Sequence, residues 1–201
     1  LDTEFVGVGR NTVGFGGSEN ALARVSIVAP GGQVLLDTMV RVDEPVVDFR
    51  IGVTGITQAA IDQGISLQEA QAWARYLLHD KVVVGHSLTW DWKVLGYNHP
   101  EDLVRDTSRY QPLRLADTPR KVPKLADLAA EWLDKDMQSG VHDSVEDAAT
   151  ALELYLLRQE EWEASLDDRA KEKMARHPGP KPVAPGGSAS EAPTGAAEIV
   201  A

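Results

Sequence analysis

Leu1-Asp2-Thr3-Glu4-Phe5-Val6-Gly7-Val8-Gly9 is the stretch that decides the fold. Its apolar residues, Leu1, Phe5, Val6 and Val8, are those of a buried strand. Strand side chains alternate between faces, so Asp2 and Glu4 share one face. Two carboxylates held that close repel, and a proton or a cation relieves the repulsion. A hard divalent ion such as magnesium or manganese is one answer. A solvated strand edge is the other, because acid-x-acid pairs are common. The apolar neighbours weigh towards a cation, since an unpaired acid inside a buried strand is costly. The remaining ligands then have to come from elsewhere in the chain.

The chain has 201 residues, 43% of them hydrophobic, which suits one globular domain with a full core. No apolar run approaches the length of a membrane span, and no signal peptide is visible. With no cysteine, disulfides and thiolate metal sites are excluded, and a reducing compartment is compatible. The net charge of -11 weighs against a nucleic-acid partner until its distribution is read. Residues 164–201 are balanced, so the acidic excess lies in residues 1–163. Within that body, residues 105–124 hold Arg105, Arg109, Arg114, Arg120, Lys121 and Lys124 against Asp106 and Asp117. This segment is either a basic patch or an ordinary solvated loop.

Residues 10–20, rich in Gly, Asn and Ser, read as a loop. Strands follow over 22–29 and 33–42, and the intervening Pro30-Gly31-Gly32 turn implies an antiparallel hairpin. Residues 43–65 read mostly as loop, with Thr57 capping a short helix over 58–62. Ser66 with Glu69 forms a capping box for a helix to about His79. Lys81 to Gly85 is a short apolar strand of the buried, parallel kind. A helix over 88–97, a strand over 103–106 and a helix over 124–133 come next. Ser144 is expected to cap a long helix reaching Trp162. Residues 164–177 read as a charged helical extension, and 178–201 as a disordered Pro/Gly/Ala/Ser-rich tail. The expected fold class is α/β: a mixed five-stranded sheet, a three-strand meander plus two parallel strands, flanked by helices.

Two further stretches carry acids. In VGHSLTWD, Asp91 lies in the first turn of a helix that follows a buried strand, where open α/β folds place their sites. In HDSVEDAA, His142 precedes a helix and Asp147 lies in its first turn. Each acid is also what a helix N-terminus favours for its dipole, and His142 also reads as a hydrogen-bonded loop histidine.

Together, LDTEFVG, VGHSLTWD and HDSVEDA resemble the three exonuclease motifs of the DEDDh family of 3′-to-5′ exonucleases, which have an RNase H-like fold. The likeness covers residues 1 to about 163. It is nearest the subgroup of RNA exonuclease 4 and the interferon-stimulated exonuclease, through ARVSIV, Arg50 to Ile56, VGHSL and Arg105-Asp106-Thr107 as well. Thr3 stands where relatives often have Cys, and Trp90 where many have a small polar residue.

The resemblance implies a phosphodiester hydrolase that takes nucleoside 5′-monophosphates from the 3′ end of single-stranded RNA. It implies Asp2, Glu4, Asp91 and Asp147 as ligands of two magnesium or manganese ions, with His142 as general base. Phe5 and Ile56 would meet the terminal base, with His86, Arg105 and Arg109 also touching substrate. A monomer, ribosomal RNA processing and a nuclear or nucleolar location are further implications. A DNA-directed exonuclease and a non-catalytic RNase H-like binding module are the alternatives, because 2′-hydroxyl recognition depends on loop geometry.

Overall fold

The computed structural model describes residues 1–9, 19–116, 121–137, 140–166 and 199–200. Strand β1 (Asp2–Val8) pairs antiparallel with β2 (Glu19–Ala29), and β2 pairs antiparallel with β3 (Gln33–Met39). Gly31 and Gly32 make the β2–β3 turn at φ 85° and 83°, left-handed values that side chains resist. A short strand β4 (Val46–Asp48) covers the far edge of β1, giving the sheet order β3-β2-β1-β4.

Three short or medium helices follow: α1 (Ile51–Thr54), α2 (Gln58–Asp62) and α3 (Leu67–Leu78). Thr57 caps α2, and Ser66 with Glu69 closes a capping box on α3, both as the sequence predicts. Then come β5 (Val82–Gly85), α4 (Thr89–Leu95), β6 (Val104–Asp106), α5 (Leu125–Leu133) and α6 (Ser144–Ala164). β5 pairs in parallel with β6 on one side and with β7 (Ile199–Val200) on the other.

The two sheets meet at the chain's first residue. The Leu1 amino nitrogen donates to the Val84 carbonyl at 2.8 Å. A Cβ on Gly85 would come within 2.7 Å of the Leu1 carbonyl oxygen, so only glycine permits this approach of β5 to β1. Helices cover both faces. Val25 and Ile27 of β2 share a core with Ala70, Ala74 and Leu78 of α3 and Leu95 of α4. Val28 and Val84 share the opposite core with Leu128 of α5 and Ala148, Leu152 and Tyr155 of α6. The alternation of β2 side chains sends consecutive residues to the two cores.

Three expectations are corrected. The strands form sheets of four and three rather than one of five: β4 and β7 add strands, and β1 and β5 share no ladder among the described residues. Residues 43–65, read mostly as loop, contain β4 and α1. The cap of α6 is Asp143, whose carboxylate accepts from the Val145 amide at 2.9 Å, while Ser144 is inside and donates to Ser26. The charged extension is described only as far as residue 166, and the tail only at Ile199–Val200; the rest of both lies outside the described residues.

Candidate active site

β1 delivers Asp2 and Glu4, and its register against β2 shifts between Glu4 and Phe5. Such a bulge re-aims side chains locally, a device found beside active sites. α6 delivers Asp147 from its first turn, after the Asp147 amide closes onto the Asp143 carbonyl at 2.8 Å. Carboxylate oxygens of Asp2, Glu4 and Asp147 come within 4.8 Å of one another. α4 adds Asp91, 6% exposed, which accepts a hydrogen bond from Thr3 Oγ1 at 2.8 Å.

Asp106 aims α4. It accepts from the Ser87 amide at 2.8 Å and the Leu88 amide at 3.2 Å, holding a turn in which Ser87 has φ 61°. It also accepts from the Ser108 amide and hydroxyl. The sequence reading missed this role, and it missed Thr3 as a partner of Asp91. The signal available for Asp106 was an acid at the end of a parallel strand, beside the β5–α4 turn.

His142 Nδ1 lies 3.2 Å from Asp147 Oδ2, and its ring is about half exposed. Its backbone amide donates to the Val53 carbonyl at 2.7 Å, which ties the loop before α6 to α1. Beside it lies a cleft of about 380 Å³, lined by Lys124, Met137, Val141, His142, Asp143 and Asp147 among others.

The four acids are crowded and short of cations. Burial pushes the Asp2 carboxyl well above the usual range, and the charges of Asp91, Asp147 and Glu4 push it further. Burial, then Asp147, raises Glu4 to about 7. Burial raises Asp91 to about 6, against the opposing hydrogen bond from Thr3. Asp147 is raised by burial, with His142 opposing. Arg24, whose charge reaches Glu4, is committed to Asp37 at 2.8 Å and Asp143 at 3.3 Å. Converging, mutually repelling oxygen donors fit a hard divalent cation such as magnesium or manganese. The all-oxygen set does not suit softer metals, which prefer imidazole or thiolate.

The expected substrate residues divide. Phe5 is half-buried beside Glu4; its carbonyl accepts from Arg50 Nη1 at 3.3 Å, and the Arg50 guanidinium carbon lies 5.0 Å from its ring centroid. Arg109 is exposed and donates to Thr89 Oγ1 at 2.8 Å, at the start of the helix bearing Asp91. His86 has both ring nitrogens engaged, with Thr107 Oγ1 at 2.9 Å and the Pro123 carbonyl at 3.0 Å, so it serves as a brace between loops. Two expectations are corrected. Ile56 is 1% exposed, in a core with Val6, Ala23 and Ile61, and cannot reach a base. Arg105 is also 1% exposed, and its guanidinium grips Glu163 at 2.7 and 2.9 Å rather than a phosphate.

Comparison with known proteins places this geometry. RNA exonuclease 4 of Cryptococcus neoformans var. neoformans serotype D is 43% identical over 166 residues, which is 83% of this chain and 39% of that protein. RNA exonuclease 4 of Saccharomyces cerevisiae is 41% identical over 163 residues, 81% of this chain and 55% of that protein. Among solved structures, the Saccharomyces cerevisiae Pan2 pseudoubiquitin hydrolase–RNA exonuclease module in complex with A7 RNA superimposes with a TM-score of 0.67 at 27% identity. That match covers 87% of this chain and 30% of that one. The chain thus spans only part of the length of each. Residues 1–155 match the family model described as Exonuclease, and the chain belongs to that family.

Proposed function

We propose that the chain is a metal-dependent 3′-to-5′ exonuclease that shortens single-stranded RNA one nucleoside 5′-monophosphate at a time. The observation that carries this reading is the convergence of Asp2, Glu4 and Asp147 oxygens within 4.8 Å, with His142 against Asp147. Membership of the exonuclease family and likeness to proteins named RNA exonuclease 4 supply the reaction and the substrate class. The subgroup resemblance extends the proposal to a monomeric enzyme, to ribosomal RNA as natural substrate and to the nucleus or nucleolus. No helix among the described residues is long and apolar enough to cross a membrane.

Asp2, Glu4, Asp91 and Asp147 would hold two divalent ions, whose chemistry is to stabilise the attacking and leaving oxygens of an in-line displacement. His142 takes the proton from the attacking water. Its Nδ1 is held by Asp147, and Nε2 makes no hydrogen bond among the described residues, so that nitrogen can accept the proton. The water oxygen bonds to the last internucleotide phosphorus as the bond to the 3′ oxygen breaks. That oxygen takes a proton from solvent as His142 returns its own to solvent, leaving an RNA shortened by one with a free 3′-hydroxyl. Phe5, beside Glu4, offers its ring to the terminal base. Arg109, at the head of α4, offers its charge to an upstream phosphate.

The test is a gel assay on 5′-labelled single-stranded RNA with magnesium, beside a 3′-phosphate-blocked RNA and matched DNA. A ladder shrinking from the free 3′ end, slower on DNA and lost with chelator, is the expected result. Intact RNA under magnesium and manganese, with the protein folded, would leave the binding-module reading.

A further inference from the structure

Lys124 lines the cleft that holds His142 and Asp147, and it breaks the local rules of its own helix. It is the N-cap of α5, a place that favours Ser, Thr, Asp or Asn, and its side chain makes no capping bond. A cation there also opposes the helix dipole, which Asp127 in the first turn partly offsets. Residues that weaken their own element in this way concentrate at functional sites.

The backbone leading to Lys124 is braced inward. The Lys121 carbonyl accepts from Arg114 Nη1 at 2.9 Å, and the Pro123 carbonyl lies 3.0 Å from His86 Nε2. Pro123 is buried, whereas Lys121 and Lys124 are exposed. Among the described residues neither ammonium has an ion pair or a hydrogen bond, whereas Lys135 meets Glu146 and Glu153 and donates to Thr150. Two unpaired cations thus stand beside the acid site of a chain whose net charge is -11. The same turn ties them to the site: His86 precedes α4, and Arg109 donates to Thr89 at the head of that helix.

We propose, resting on the reading of RNA as substrate, that Lys121 and Lys124 form a phosphate-binding lip for the RNA backbone. Arg105 of the same basic run turns its charge inward to Glu163, while these two lysines keep theirs outside. A lysine ammonium is a compact point charge that suits a phosphate oxygen and reads no base. The lip offsets the repulsion between a polyanion and an acidic body.

The test separates binding from chemistry. Anisotropy of fluorescein-labelled single-stranded RNA in chelator, at stepped salt, reads binding without cleavage. The Lys121→Gln, Lys124→Gln variant should bind about tenfold more weakly, with a slope of log affinity against log salt that is shallower by about 1.4. With magnesium, its KM should rise by a similar factor while kcat stays within about twofold. Lys124→Arg should keep the wild-type slope. Lys124→Ser should bind RNA more weakly yet melt about 2–4 °C higher, because serine caps α5. A lysine with a merely structural role would not separate affinity from Tm in this way. The lip is overturned if the double variant keeps the wild-type slope, if only kcat falls, or if wild type binds no RNA. Binding with the predicted slopes but no cleavage by wild type would uphold the lip and overturn the exonuclease reading instead.

Discussion

The molecule buries two clusters of charge and treats them in opposite ways. Around Arg105, charge is matched: its guanidinium grips Glu163, donates to the Asp102 and Val104 carbonyls, and Tyr155 donates to the same Glu163 at 2.9 Å. Around Asp2, charge is left unmatched: burial raises all four acids, neighbouring site carboxylates raise Asp2 and Glu4 further, and Arg24 is spent on Asp37 and Asp143. Burial is similar, so burial alone does not mark function. What marks it is unrelieved like charge in a position that water and ions can reach. The matched cluster stabilises the fold without outside help; the unmatched one is the set to which the proposed function gives a divalent cation.

The sharpest way to break this contrast is to remove an acid from each side of it. Asp147→Asn should lower cleavage of RNA by about a thousandfold or more, since a metal ligand supports several kcal/mol of transition-state charge. It should also raise the Tm of the metal-free protein, because it relieves repulsion. Arg105→Met should do the reverse. It should cost about 3 kcal/mol by removing the buried guanidinium that ties Glu163 to the Asp102 and Val104 carbonyls, or about 6–12 °C of Tm by thermal melting, with turnover per folded molecule unchanged. Equal loss of turnover in both variants would erase the distinction.

His142→Gln comes next. It should lower kcat about a hundredfold in single-turnover assays while leaving magnesium affinity nearly unchanged. The pH dependence of stability sharpens the same point. Glu4 is raised from 4.5 to about 7 and Asp91 from 3.8 to about 6, so the folded state holds protons that the unfolded state has released. Metal-free stability should therefore fall as pH rises from about 4 to about 7, by a few degrees of Tm in melts at stepped pH. Saturating magnesium should flatten that slope. The smallest effect belongs to Arg109→Ala, which should raise KM a few-fold, weaken the salt dependence of binding and leave Tm within about 2 °C.

Much of the contrast was legible in the residues themselves. Alternation on β1 placed Asp2 and Glu4 together, and caps at Thr57 and Ser66 placed α2 and α3. What was not legible depends on distant partners. Arg105 reads as one of a basic run, and charge says nothing of direction; only its fit to Glu163, far along the chain, turns it inward. Ile56 looks available beside a glycine, but α2 folds over it into a core with Ile61. α1 is too short for a periodic signal and follows Arg50, an N-cap at φ 51° whose guanidinium bonds Asn20 and the Phe5 carbonyl. β4 has three residues and exists only because β1 offers an edge. β7 is shorter still, with two residues that pair only through β5.

The most direct measurement of the central claim is manganese titration followed by electron paramagnetic resonance, which reports free ion. The unmatched acids should remove about two manganese ions per chain from solution at pH 7.5. An Asp2→Asn, Asp147→Asn variant should remove none, while Arg105→Met should bind as wild type. Full free signal with folded wild-type protein, or equal binding by the double variant, would contradict the account.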